Sequence, residues 1–130
     1  MSTTRKEYEN VELTAKTVKP GIVVLEMSGS IYMGPDCRRI DSEMETQKAK
    51  ESTNRFIFDL TRVTHIDSAV VGLIVRIYSQ LTKAGGGLRL VGARGMVENV
   101  LKMTQVDKVI PICPSVAEAA DSFSPATPAS

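Results

Sequence analysis

The sequence is short of the residues that most often carry chemistry. Its 130 residues include one histidine, two cysteines and no tryptophan. A lone His65 gives a histidine-based metal site almost nothing to draw on, so no metal and no cofactor are expected. Cys37 and Cys113 lie far apart and form no CxxC pair. They read as free, partly buried thiols, which suits a reducing, cytoplasmic compartment. Charge of one sign is missing too: 16 Lys and Arg stand against 15 Asp and Glu, a formal charge of +1. Nothing in that balance points to nucleic acid or an anionic membrane as the main partner. Long apolar runs are absent as well. The opening MSTTRKEYENVELTAK has no apolar signal region, and the stretch from Val70 to Tyr78 is too short and interrupted to span a bilayer.

What is present suffices for one domain. Hydrophobic residues make up 42% of the chain, enough to bury a core without disulfides or metals. Residues 1–8 are polar and expected to be flexible, residues 9–123 to form the domain, and the Pro/Ala/Ser tail 124–130 to be disordered.

Val11 to Lys19 alternates loosely, Pro20-Gly21 signals a turn, and Ile22 to Met27 is a β-branched run ending at Ser28-Gly29. The pair reads as a hairpin. Pro35 suits the first position of a helix, in which Cys37, Ile40, Met44 and Gln47 or Lys48 form a narrow apolar stripe. Phe56, Phe58 and Leu60 share one face of a strand, and Thr61 to Ile66 reads as a turn region. A long helix follows Asp67-Ser68, with Gly72, Arg76, Ser79/Gln80 and Lys83 on its polar side, and Gly85-Gly86-Gly87 ends it. Leu88 to Val91 reads as an interior strand. Val97 to Thr104 reads as a helix and Val109 to Ile112 as a final strand. Ser115 and Glu118 match a capping box that opens a last helix to about Phe123. The order β-β-α-β-α-β-α-β-α predicts an α/β domain. Its sheet is mixed, mostly parallel and of four or five strands, with an antiparallel hairpin at one edge, right-handed crossovers and about four helices.

The junction Thr64-His65-Ile66-Asp67-Ser68-Ala69 joins the carboxyl end of a strand to a helix, the edge where sites gather in open α/β sheets. Ser and Asp there can cap the helix. The same position can expose a serine hydroxyl, and a phosphate on it would face the helix N-terminus with Asp67 opposing it. Both uses remain open. His65, Asp67 and Ser68 are the residue types of a hydrolase triad, but they are nearly consecutive and lack the G-x-S-x-G elbow, so catalysis is not expected. Gly85 to Gly87 precedes a strand and lacks the Lys-Ser/Thr of a phosphate loop, and Gly92-Ala93-Arg94-Gly95 lacks the full glycine fingerprint. The acidic group Asp41, Glu43, Glu45 reads as a solvated helix face.

The segment from Phe56 to Ala119 is similar to a STAS domain, the fold of anti-sigma factor antagonists. Asp59-Leu60, Asp67-Ser68, Gly72, Ala84-Gly85-Gly86, Leu88–Val91 and Val109–Ile112 follow in the family's order, and the resemblance covers about residues 10 to 123. It implies partner switching. The unphosphorylated antagonist binds an anti-sigma factor that is also a serine kinase, phosphorylation of the matching serine, Ser68, breaks the complex, and a phosphatase resets it. It also implies a partner surface of Ser30, Tyr32, Asp67, Ser68, Ala69 and Gly72, with a homodimer left open. The family's Asp-Ser-Ser-Gly-Leu-Gly reads here Asp67-Ser68-Ala69-Val70-Val71-Gly72, and its Gly-Glu-Leu/Ile-Asp loop reads Gly29-Ser30-Ile31-Tyr32, without carboxylates. Two alternatives stand beside this reading. One is a STAS scaffold or accessory subunit, in a stress-signalling assembly or a transporter, without a phosphoswitch. The other is an enzyme or small-molecule binder using the strand-end edge.

Overall fold

A computed structural model describes residues 11–51 and 53–123; the expected flexible start 1–8 and tail 124–130 lie outside them. Among the described residues the order is β1 (Glu12–Lys19), β2 (Ile22–Ile31), α1 (Pro35–Glu51), β3 (Arg55–Ile66), α2 (Ser68–Lys83), β4 (Gly87–Val91), α3 (Gly95–Met103), β5 (Ile112–Cys113) and α4 (Val116–Asp121). The strands form one five-stranded sheet in sequential order β1-β2-β3-β4-β5. β1 pairs antiparallel with β2, and the other neighbours are parallel. The predicted class, hairpin edge and interior β4 are therefore observed.

The two faces of the sheet carry two cores. Phe56, Phe58 and Leu60 of β3, Leu88 and Leu90 of β4 and Val23 and Leu25 of β2 pack under α1, α2 and α3 through Ile40, Met44, Val70, Ile74, Ile77, Leu81, Val97 and Leu101. The alternate residues Ile22, Val24, Ile57 and Val91 pack against Ala119 and Ala120 of α4. Two strands buried on both faces explain the near-continuous apolar runs of β3 and β4. α2 buries Val70, Val71, Leu73, Ile74, Ile77 and Leu81, an apolar arc wide enough to seat a helix on a sheet. It stops at Gly85, whose φ of +88° lets the Gly86 N–H turn back to the Leu81 carbonyl at 2.8 Å. Ser115 caps α4 by accepting from the Glu118 N–H at 3.1 Å.

Three expectations need correction. The segment Thr61 to Ile66 is not a turn region but the second half of β3. β2 does not end at Ser28-Gly29 but runs to Ile31. The final strand is Ile112–Cys113, because Val106–Lys108 forms a 3-10 turn that takes Val109 out of the sheet. The first two share a cause. Between β2 and β3 the register passes from Glu26↔Asp59 to Ser28↔Arg62, and from Gly29↔Val63 to Ser30↔His65. Each step places one extra residue on β3. These bulges break the two-residue alternation, so Leu60, Val63 and Ile66 are buried at intervals of three.

Candidate functional site

The bulged half of β3 delivers the chain to the carboxyl edge of the sheet, where Ile31 pairs with Ile66. There Asp67, in extended conformation (φ −112°, ψ −179°), is the N-cap of α2. Its Oδ1 accepts from the Val70 N–H at 3.0 Å, and its Oδ2 accepts from the Met33 N–H at 2.9 Å. One carboxylate thus closes the first turn of α2 and holds the loop between β2 and α1. The sequence left the cap open between two residues; it is Asp67. Ser68 is the first residue of the helix and exposed, and its hydroxyl makes no hydrogen bond among the described residues.

Tyr32 and Met33 occupy the loop at 40% and 71% exposure, so their apolar surface lies beside the start of α2 uncovered. The Tyr32 N–H donates to Asp36 Oδ2 at 3.0 Å. Gly72 is exposed, one turn beyond Ser68, and Ala69 is half-buried. Val75 continues the exposed side of α2, where Arg76 pairs with Asp41 at 2.8 Å. Ser30 faces a different set of neighbours: its hydroxyl lies 3.3 Å from Thr64 Oγ1 and 3.5 Å from His65 Nδ1. Of the six expected residues, Tyr32, Asp67, Ser68, Ala69 and Gly72 sit around one helix start. Ser30 joins them through the strand pairing, with its polar atom turned to Thr64 and His65. His65, Asp67 and Ser68 form no relay, since His65 contacts Thr64 and Ser30 while Asp67 is committed to two backbone N–H groups.

Sequence reasoning missed Asp36 and Met33. Asp36 is 1% exposed, and its position in the first turn after Pro35 was the only available signal. Cys37 also borders the site: its thiol donates to the Tyr32 carbonyl at 3.6 Å. Burial pushes this thiol's pKa above its ordinary value; the negative charges of Asp67, Asp36 and Asp41 push the same way, and Arg76 acts against them. The folded chain therefore holds the thiol proton more tightly than the unfolded chain, and this contribution to stability fades at alkaline pH as unfolding lets the thiol ionise. Alkylation of Cys37 by iodoacetamide at pH 8, followed by peptide mapping, should be markedly slower than that of free cysteine, because the thiolate is the nucleophile. Labelling at the free-cysteine rate would contradict this.

No group of three or more His, Cys, Asp and Glu able to hold a metal occurs among the described residues. No helix among them is long and apolar enough to cross a membrane. A cavity of about 440 Å³ lies over β1, β2 and β3, lined by Lys16, Glu26, Asp59 and Arg62. Neither Asp67 nor Ser68 reaches it.

The model of the STAS domain matches residues 14–119. The chain belongs to the STAS domain family. Among relatives of this STAS domain, the "Putative anti-sigma factor antagonist" of Thermotoga maritima is 35% identical over 66 residues, 51% of this chain and 58% of that protein. The chain thus matches little more than half the length of that relative. The anti-sigma factor antagonist SpoIIAA in its unphosphorylated form superimposes with a TM-score of 0.71 at 19% identity, covering 85% of this chain and 95% of SpoIIAA. A sulfate transporter family protein from Wolinella succinogenes superimposes with a TM-score of 0.68 at 19% identity, over 83% of this chain and 88% of that one. These two likenesses establish the shared fold.

Proposed function

We propose that this STAS domain is an anti-sigma factor antagonist that acts in the cytoplasm by binding rather than by catalysis. In its unphosphorylated state it engages an anti-sigma factor with serine kinase activity. Phosphorylation of Ser68 releases the complex, and a phosphatase restores it. The observation that carries this reading is the exposed Ser68 hydroxyl at the first position of α2, beside the uncovered Tyr32 and Met33. A phosphate there adds a charge of about −1.5 to −2. Asp67 is adjacent and already occupies the N-cap, so the phosphate adds to a local negative charge. Burying that charge unpaired in an interface costs several kcal/mol, enough to abolish a complex of about micromolar affinity.

The test is recovery of bound proteins with the wild type, Ser68→Ala and Ser68→Asp, before and after phosphatase treatment, followed by affinity measurement with the recovered partner. Ser68→Ala should bind as the wild type does, and Ser68→Asp should bind at least about tenfold more weakly, the equivalent of about 1.4 kcal/mol. Equal binding by both variants sinks the switch. The absence of carboxylates at Ser30 and Tyr32 favours a second reading, a STAS scaffold or accessory subunit without a phosphoswitch. It expects self-association or a membrane-complex partner whose binding ignores both Ser68 variants.

A further inference from the structure

The face of the sheet opposite α1, α2 and α3 is covered by α4 over only part of its length. Ile22 and Val24 of β2 and Ile57 of β3 pack on Ala119 and Ala120. The next residues pointing the same way are Glu26, Ser28 and Asp59, and there the cavity of about 440 Å³ opens. Arg62 lines it too, although in a regular strand a residue three beyond Asp59 points to the opposite face. The bulge supplies the difference. The register passes from Glu26↔Asp59 to Ser28↔Arg62, so the extra residue on β3 returns Arg62 to the side of Asp59. This bulge is fastened from both sides. Asp59 Oδ1 accepts from the Thr61 N–H at 3.0 Å and from the Thr61 hydroxyl at 2.6 Å. The Thr61 carbonyl accepts from the Arg94 guanidinium at 3.4 Å, and Gly92 lies so close that a Cβ there would clash with Thr61.

Two opposite charges in the cavity are left over. Glu26 is paired with Lys16 at 3.3 Å. Among the described residues Arg62 makes no hydrogen bond or ion pair, and the second oxygen of Asp59 has no partner. We propose that this cavity binds a small zwitterion of dipeptide size, its carboxylate on Arg62 and its ammonium on Asp59. The guanidinium fork matches a carboxylate with two parallel hydrogen bonds. A lone anion would also meet Asp59 and Glu26, and a lone cation would also meet Arg62 and Lys16. A ligand of both signs meets each leftover charge with its opposite. The three-residue step from Asp59 to Arg62 spans at most about 10 Å, and the charged ends of an extended dipeptide lie about 7 Å apart, so one ligand reaches both side chains. The cavity volume falls within the range of about 300–1,000 Å³ usual for small-molecule sites.

An NMR titration of the full chain with glycylglycine tests it. The Ser28, Asp59, Thr61 and Arg62 amides should shift saturably, with a Kd of about a millimolar. Acetate and ethylammonium, each carrying one of the two charges, should bind at least about tenfold more weakly. Arg62 is exposed, so Arg62→Gln keeps the fold and should weaken glycylglycine by about tenfold or more. Asp59→Asn keeps an oxygen for Thr61 while removing the charge that meets the ammonium, and should weaken it as much. Shifts that fail to saturate, that acetate alone reproduces, or that persist undiminished in either variant overturn the site. Neither Asp67 nor Ser68 lines this cavity, so the Ser68 variants succeed or fail independently of it.

Discussion

Replacing Asp67 by alanine is expected to lower the stability of the domain by about 2–3 kcal/mol. Loss of an N-cap side chain costs about 1 kcal/mol, within a range of 0.5–2. Loss of its charge from the positive end of a helix costs about 0.3–1 kcal/mol more. The Met33 N–H adds a further share, kept modest because that group lies at the surface and water can replace the carboxylate. For a chain of this size the melting temperature should fall by about 10 °C. Asp67→Asn separates the two jobs of the residue. Asparagine caps as well as aspartate, but its amide nitrogen cannot accept from a second N–H, so its cost should be about 1 kcal/mol, borne by the loss of charge and of the Met33 contact. Urea or thermal denaturation of both variants reads the difference. If Asp67→Ala costs no more than Asp67→Asn, the cap geometry does not hold α2 in place.

This double duty shows where the sequence could be read and where it could not. Asp67-Ser68 stood out as a helix start, because cap residues before an apolar helical pattern form a local signal. α2, the glycine stop and the capping box of α4 were legible for the same reason. β3 was legible only to Leu60. Beyond it the two extra residues on β3 change the spacing of buried positions from two to three, and a periodicity test has no template for a bulged strand. The bulges are set by pairing with β2, which is a tertiary fact. The partners of Asp36 were hidden in the same way: Val11 and Tyr32 donate to it from positions 25 residues before and 4 residues before. A polar residue in the first turn of a helix announces that it can accept hydrogen bonds, not from which segments they come. The exposure of Met33 was equally illegible, since a methionine next to a helix start is as often core as surface.

Replacing Gly72 by alanine is expected to stabilise the isolated domain while the larger Gly72→Leu disables it as a binding module. Gly72 lies inside α2, where glycine costs about 0.5–1 kcal/mol relative to alanine. Packing among the described residues gives no reason for that cost: a Cβ at Gly72 meets nothing within 4 Å there. Gly72→Ala should therefore raise the melting temperature by about 3–4 °C with the fold unchanged. Gly72 follows Ser68 by one turn on the exposed side of α2, and on the proposed reading a partner's backbone or side chain closes on that bare helix surface. A leucine there would stand in the interface as an overpacked side chain, and overpacking costs about 1–3 kcal/mol or more. Binding of the partner recovered with wild-type protein should weaken by about tenfold to a hundredfold, corresponding to about 1.4–2.8 kcal/mol. Circular dichroism of Gly72→Leu should at the same time show an unchanged fold and its melting temperature should not fall, because leucine is also a good helix former and a Cβ at this position meets nothing within 4 Å. Undiminished binding by Gly72→Leu would remove α2 beyond its first turn from the partner surface and leave the cost of this glycine unexplained.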